Sequence, residues 1–502
     1  GSLENRARFL LETLEQVRAA IGEDCAVGVR LSTESLIGDE GLELEADILP
    51  MIRLADELVD VWDVTVYGGV GDEPPPSRFY PEGYQLRWQS AIKAASSKPV
   101  IGVGRFTNPD TMAEAIRTGQ LDIIGCARPS IADPFLPKKV EEGRLEDIRE
   151  CIGCNICIAC WRMNRPAIIC TQNATTGEEF RRGWHPERFE PAANADNDVL
   201  IVGAGPAGME CATILGKRGM RRVHLVDAAD ELGGIMRWIP QLPGLGEWAR
   251  IVNYRQIQIG KLKNVDFIPR TRLDAEAIAE YGAEIVIVAT GARWAADGFN
   301  GYTREPIPGA DASEDWIFTP EQIMVEGAEV PGERVVIVDN DGYFMALSLA
   351  EKLALEGKQV TVLTQFPAPA PFMRHTGEQT SMRRKLAGLG VTVRTETIAT
   401  QVAPGVVRTR HTAERTEDEV AADAVVLTTQ RLSNEGLYRE LKDVVGTERL
   451  AAEGVSALYR IGDCVAPRLI ADCIFDGHRL AREIDADDAH MPKPYLRERA
   501  VV

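Results

Sequence analysis

The sequence predicts an α/β chain: the second half of a TIM-type (β/α)8 barrel, an iron–sulfur connector, and two Rossmann-like nucleotide-binding-type domains. Three observations predict it. Residues 1–150 alternate helix-like and strand-like runs; five cysteines fall between Cys151 and Cys170; and a strand, glycine-rich turn and helix begin at Asp198, with a second strand-loop-helix unit restarting at Arg334. At about 150 residues per domain, 502 residues hold roughly three such bodies.

The elements follow in order. A helix reads from Glu4 to Ile21, with Ala and Leu at helical spacing, and strand-like runs follow at Ala26–Leu31, Trp62–Tyr67, Pro99–Gly104 and Leu121–Cys126. Amphipathic stretches near Ile48–Val59, Tyr84–Ala95 and Asp110–Arg117 separate them. Four strands with helices between are half of an eight-stranded barrel, and half a barrel leaves apolar faces and edges uncovered. The expectation is a chain that is the later part of a longer protein, or two halves pairing between chains; a small open sheet is the alternative. From Cys151 to about Pro191 the sequence is irregular and reads as a connector around a metal site. Strands are expected at Val199–Val202, Val223–Asp227 and Glu284–Thr290, then at Val335–Val338, Val360–Thr364 and Val391–Arg394, and finally at Leu458–Asp463 before a helix from Leu469 to Ile484. The domain limits expected are 1–150, 151–192, 193–317 with 431–502, and an inserted 318–430.

Composition narrows the function. With 56 basic and 76 acidic residues the formal charge is −20, which repels phosphate backbones and anionic lipid and argues against nucleic-acid or membrane partners. The longest strongly apolar runs fall far short of the roughly 18 residues a membrane helix needs, and no basic-then-apolar leader opens the sequence. Ten cysteines in 502 residues are too dilute for a disulfide scaffold. Clustered as they are, they read as a metal site in a reducing, cytoplasmic compartment.

Cys151, Cys154 and Cys157 form C-x2-C-x2-C, with Cys160 and Cys170 beyond. Three thiolates at this pitch wrap three corners of a 4Fe–4S cube, whereas zinc takes two ligand pairs across a longer spacer. Cys170, after the turn at Pro166, is the preferred fourth ligand and Cys160 the alternative. Gly203-Ala204-Gly205-Pro206-Ala207-Gly208 then follows a strand and opens a helix, and Asp227 ends the next strand. The glycines let backbone approach a pyrophosphate at the helix N-terminus while the acid accepts from ribose, so ADP or an adenine dinucleotide such as FAD is expected. Asp463, in Gly462-Asp463 at a later strand end, is a second contact or else a helix cap. In the inserted domain the turn reads Asp339-Asn340-Asp341-Gly342-Tyr343-Phe344. One glycine remains, and two carboxylates stand where a pyrophosphate would sit, so NADH and NADPH are not expected there.

The stretches GSLENRARF, VGVRLS, GVGRFTNP, GCARPSIADPF and CIGCNICIACWRMNRPAIICTQNATTGEEFRRGWHPE, with the Gly203 turn, resemble the iron–sulfur flavoprotein amine dehydrogenases of trimethylamine, dimethylamine and histamine. The resemblance covers essentially the whole chain. It implies FMN on the barrel, a 4Fe–4S cluster, an ADP domain, a homodimer, and electron-transferring flavoprotein as acceptor. It also places Gly1-Ser2 within the family's GGSLENR run, so that the chain starts inside the barrel and the family's flavin-linking cysteine and catalytic Tyr and His fall upstream; no histidine precedes His185. By the same resemblance Arg30 faces the flavin pyrimidine and stabilises its reduced anion. Gly104, Arg105, Gly125 and Arg128, at the ends of the last two strands, hold the FMN phosphate, with rim salt bridges as the alternative for each arginine. Glu73 aligns with the family's substrate-facing acid and neighbouring Asp72 preserves its chemistry; a solvated loop is the alternative. Trp161 matches one wall of a cation–π cage, while the family's second tryptophan has no counterpart between Tyr67 and Pro76. The expected activity is oxidation of a small amine. Its rivals are an NADPH-dependent 2,4-dienoyl-CoA reductase-like enzyme and a non-catalytic fragment that binds ADP and a cluster.

Overall fold

In a computed structural model, the structure describes residues 1–35, 41–66, 75–163, 167–493 and 495. The chain divides into two compact units, Gly1–Ala159 and Cys160–Val502.

The first unit is built on a parallel sheet in the order β1 (Gly28–Ser32), β2 (Val61–Thr65), β3 (Val100–Gly102), β4 (Ile123–Ile124). Because side chains alternate along a strand, one face carries Trp62 and Val64 into a core with Ile52, Ala55, Ile92, Val100 and Leu121. That core is closed by the helices Leu49–Ala55, Leu86–Ala95 and Leu3–Ile21. The other face carries Arg30, exposed, and Asp63. Asp56 knits the elements together, accepting from Trp62 Nε1 (3.0 Å), Ser97 N (2.9 Å), Ser97 Oγ (2.8 Å) and Ser96 Oγ. Burial pushes its carboxyl up, but these hydrogen bonds outweigh burial and hold it at about 2.

The second unit contains two five-stranded parallel sheets. One runs β19 (Ala457–Arg460), β8 (Ile285–Val288), β5 (Asp198–Val202), β6 (Arg222–Val226), β7 (Val265–Ile268). Its central strands are apolar on both faces because both are covered. Ile201 and Ile287 pack with the helices Pro206–Lys217 and Ile470–Glu483, and Leu200 and Val286 with Ile278, Leu441 and Leu450. The other runs β10 (Ile317–Phe318), β17 (Ala424–Thr428), β11 (Arg334–Asp339), β12 (Gln359–Thr364), β13 (Thr392–Arg394). Two short strands, β9 (Ala292–Trp294) and β18 (Arg431–Ser433), pair antiparallel on either side of this second sheet in the chain. An antiparallel meander of β14 (Thr397–Ala403), β15 (Gly405–His411) and β16 (Glu417–Ala422), bulged between Ala399 and Gln401, was not anticipated from the sequence. Its polar alternation reads as loop until the partner strands are known. Among the described residues no helix is long and apolar enough to cross a membrane.

Candidate functional site

In the first unit the cysteine loop is folded against the arginines at the strand ends. Gly153 and Asn155 both take positive φ, 65° and 53°, so the chain curls left-handed between Cys151 and Cys157, whose thiols, like that of Cys154, are half-buried. Asn155 is tied down by its side chain, which donates to Pro75 O (2.8 Å) and accepts from Arg128 Nη1 (2.6 Å). Arg128 Nη1 also donates to Pro76 O (2.7 Å), and Arg105 Nη2 donates to Tyr80 O (2.7 Å). A Cβ on Gly153 would stand 3.0 Å from Arg105 Nη1, so the loop lies directly on that guanidinium. Burial lowers the Arg128 pKa, and the thiols of Cys151, Cys157 and Cys154 pull it the other way, which places all three within electrostatic reach of one cation. Among the described residues no three such side chains are already arranged around a metal position; what the first unit shows is three half-buried thiols on one short loop beside the buried Arg105 and the half-buried Arg128, soft donors next to cations.

Gly104 and Gly125 sit beside these arginines. A Cβ on Gly125 would meet Val103 Cγ1 at 2.7 Å, and one on Gly104 would meet Gly83 backbone at 3.2 Å, so both positions exclude larger residues. Arg105 itself has φ 59° and is 3% exposed, a strained and buried placement for a rim arginine. Arg30, by contrast, pairs with Asp63, its register partner across β1 and β2, at 2.5 Å. Asp72 and Glu73 lie outside the described residues.

The second unit begins with Cys160, 1% exposed. Trp161, on the helix Ile156–Arg162, is 69% exposed, an open aromatic face. Cys170 is half-buried and leads into a buried polar stretch.

The Gly203 turn has the geometry its sequence implies. Gly203 takes φ 112°, and a Cβ there would lie 2.3 Å from Ala289 O; one on Gly208 would lie 2.0 Å from Gly203 O. These two glycines are demanded by packing. Gly205 is different: its nearest neighbour to a Cβ is Gly234 Cα at 4.0 Å, so the space beside it stays open at the start of the helix Pro206–Lys217. That open cradle at a helix N-terminus fits a pyrophosphate. Asp227 accepts from Ala204 N (2.7 Å) and Ala229 N (2.8 Å), which fixes its carboxylate at the end of β6 beside the turn. Asp463 accepts from Arg431 Nη1 (3.2 Å), Arg468 N (2.9 Å) and Cys473 Sγ (3.0 Å).

Sequence reasoning missed Gly233 and Gly234, at φ 124° and 54°, which back the turn: Gly233 N donates to Ala204 O (2.8 Å) and a Cβ on Gly234 would lie 2.9 Å from Gly205 Cα. The adjacent glycine pair was the available signal. It also missed Thr290, whose hydroxyl donates to Asn434 O (2.6 Å) at the end of β8.

The corresponding turn after β11 is filled by its own side chains. Asp339 is fully buried and accepts from Gly342 N (3.1 Å); burial pushes its carboxyl up to about 7. Asp341 is also pushed up by burial, against the opposing pull of Arg431, whose Nε lies 3.7 Å away. Gly342 faces the Phe366 ring, 2.7 Å from where a Cβ would stand. Two acids and a phenyl ring thus stand at this turn, where the Gly203 turn has an open space beside Gly205.

Comparison with known proteins follows this division. The NADH:flavin oxidoreductase / NADH oxidase family model matches residues 1–147, the NAD(P)-binding Rossmann-like domain model residues 201–254, and the OYE-like second alpha/beta domain model residues 318–412. The chain is 47% identical to the dimethylamine dehydrogenase of Hyphomicrobium sp. (strain x), over 99% of this chain and 70% of that protein. It superposes on histamine dehydrogenase from Rhizobium sp. 4-9 with a TM-score of 0.94 at 40% identity, covering 100% of this chain and 72% of that one. With the 6-hydroxypseudooxynicotine amine oxidase from Pseudomonas geniculata N1 the TM-score is 0.88 at 40% identity, covering 96% and 70%.

Proposed function

The chain belongs to the iron–sulfur flavoprotein amine dehydrogenase family, and from that premise we propose that it serves oxidation of a small primary, secondary or tertiary amine with electron exit through the cysteine cluster to a protein acceptor. The observation that carries the reading is the seating of the Cys151–Cys157 loop on Arg105 and Arg128 at the strand ends, which supports thiol ligands beside cations that suit a phosphate.

When bound, FMN supplies two-electron acceptance and a 4Fe–4S cluster supplies one-electron release. The amine gives up a hydride equivalent, two electrons with one proton, to become an iminium ion, which water hydrolyses to an aldehyde and a smaller amine, or ammonia where the amine is primary. Arg105 and Arg128, with the backbone at Gly104 and Gly125, hold the FMN phosphate. Arg30 would supply positive charge to the flavin ring when it is bound, while sharing its guanidinium with Asp63. Trp161 offers its exposed face to the substrate cation, and Glu73 or Asp72 its carboxylate. Cys151, Cys154, Cys157 and Cys170 ligate the cluster. Gly203, Gly205, Gly208 and Asp227, with Asp463, hold ADP or the ADP part of FAD. The domain division 1–150, 151–192, 193–317 with 431–502, and 318–430 belongs to the same reading, as do a homodimer, electron-transferring flavoprotein as acceptor and a cytoplasmic setting.

The Asp339 turn weighs against the nicotinamide-dependent reductase, because two acids and the Phe366 ring at that turn disfavour a pyrophosphate. The test is a set of steady-state assays with a one-electron dye. Dimethylamine, trimethylamine or histamine should drive dye reduction in the flavin-loaded protein, with an aldehyde among the products; no turnover with any of them, alongside turnover of an enoyl thioester by NADPH, would reverse the assignment.

A further inference from the structure

A buried polar segment follows Cys170. Thr171, Gln172, Asn173 and Thr175 are between 1% and 3% exposed and belong to no helix or strand, so their polar groups are met by turns and side chains: Asn173 Oδ1 accepts from Thr175 N (3.1 Å) and Thr175 Oγ1 (2.8 Å), and Gln172 is met from another helix. Arg255, on the helix Arg250–Gly260 and 0% exposed, meets Gln172 twice: Nη1 donates to its side-chain Oε1 (3.0 Å) and Nη2 to its backbone carbonyl (3.2 Å). A third bond runs from Nη1 to Ile251 O (3.0 Å). The main-chain contact fixes the backbone two residues beyond Cys170 whatever the side chain there.

The charge of Arg255 is balanced by Glu210, whose Oε2 accepts from Arg255 Nε at 2.8 Å. Glu210 stands in the second turn of the helix Pro206–Lys217, two residues after Gly208 of the nucleotide turn. Its other oxygen lies 2.8 Å from His478 Nδ1, on the helix that follows Gly462-Asp463. Arg482 Nε donates to His478 Nε2 (3.2 Å), and since arginine only donates, the imidazole proton sits on Nδ1 and points at Glu210. Glu210 is thereby held from two sides, and it holds Arg255. A buried ion pair is weak evidence for stability, because a well-packed apolar pair serves as well. Its planar, directional fork is suited to fixing the geometry of what it grips.

We propose that Arg255 is the positioning residue for the Cys170 limb of the cluster site, and that Glu210–Arg255–Gln172 ties this limb to the helix bearing the nucleotide turn. The inference rests on Cys170 being a cluster ligand. Groups that orient a metal's ligands change its affinity about 10–100-fold when removed. In protein purified with its cluster and adenine nucleotide, Arg255→Met should therefore release iron to a chelator about 10–100-fold faster. It should also shift the electron paramagnetic resonance spectrum of the reduced cluster, with nucleotide content little changed and the unfolding temperature lowered because Glu210 loses its buried counter-charge. Arg255→Lys, which keeps the charge without the fork, should partly rescue iron retention but not the spectrum. Gln172→Ala, which keeps the main-chain bond and the Glu210 pair, should give a smaller effect in the same direction.

Parental spectrum and parental iron release in both Arg255 variants would overturn the proposal. If Arg255→Met does not fold, Arg255→Lys and Gln172→Ala decide it by the same two readouts. Cys170→Ala separates the premise from the inference. A cluster retained in that variant removes Cys170 from the ligand set, whereas a cluster lost there but indifferent to Arg255 refutes only the positioning role.

Discussion

Asp339→Asn is expected to stabilise the protein, and to do so more as pH rises. The native carboxyl is fully buried at the end of β11 and titrates at about 7, against 3.8 in an open chain. Its folded pKa is raised, so the native state binds the proton more tightly. Stability is then fully present below pH 3.8 and is lost as pH rises toward 7, by about 1.4 kcal/mol per pH unit and about 4 kcal/mol in all. Near pH 5 about 1.6 kcal/mol of that is already lost, so roughly 2.5 kcal/mol more goes between pH 5 and pH 8. Asparagine keeps the acceptor for Gly342 N and carries no charge to bury. Urea denaturation at a series of pH values, read by amide exchange of Val336 to Val338, should show the variant's advantage growing by about 2–3 kcal/mol from pH 5 to pH 8. An advantage that is constant across pH, or a variant less stable at pH 8, would refute the buried-acid account of this turn and reopen it to nucleotide.

Single replacement of Cys151, Cys154, Cys157 or Cys170 by Ala should abolish the broad iron–sulfur absorbance and Cys160→Ala should spare it; loss only in the last would exchange the fourth ligand. Gly205→Val should fold normally, because its Cβ meets nothing closer than 4.0 Å, yet purify without adenine nucleotide. Gly208→Val should fail to fold soluble protein, because its Cβ would stand 2.0 Å from Gly203 O. Nucleotide retained in the first variant would remove the Gly203 turn from the binding site. Asp56→Asn should cost about 2 kcal/mol near neutral pH. The Asp56 carboxyl is held low, at about 2 against 3.8, so this contribution is present above pH 3.8 and is lost as pH falls toward 2; equal losses in urea midpoint at pH 7 and pH 3 would contradict it.

What the sequence disclosed was what lies close together along it. The Gly203 turn and Asp227 fall within one β-α-β unit, and C-x2-C-x2-C within seven residues, so strand, helix and spacing were readable before any tertiary contact was known. The four barrel strands were readable for the same reason, each an apolar run between amphipathic helices. Contacts made across the fold were not. Gly234 backs Gly205 from 29 positions away, and Arg255 reaches Gln172 across 83. The strands β9 and β18 are three residues each and pair across the intervening strands β10–β17, too short for any periodic signal. The meander β14–β16 is exposed on one side and half polar, which sequence alone does not distinguish from loop. Arg30 illustrates the limit for single residues: its strand was legible, but its pairing with Asp63 depends on register between strands 33 residues apart.

Electrons are expected to enter from an amine and to leave singly, and not to come from a nicotinamide carrier. Anaerobic stopped-flow mixing of the flavin-loaded oxidised protein with dimethylamine or histamine in one syringe, and with NADPH in a parallel run, tests this most directly. The account predicts rapid bleaching of flavin absorbance by an amine, followed by the spectral signature of a reduced iron–sulfur cluster, and no bleaching by micromolar NADPH. Rapid bleaching by NADPH with none by any amine would contradict it.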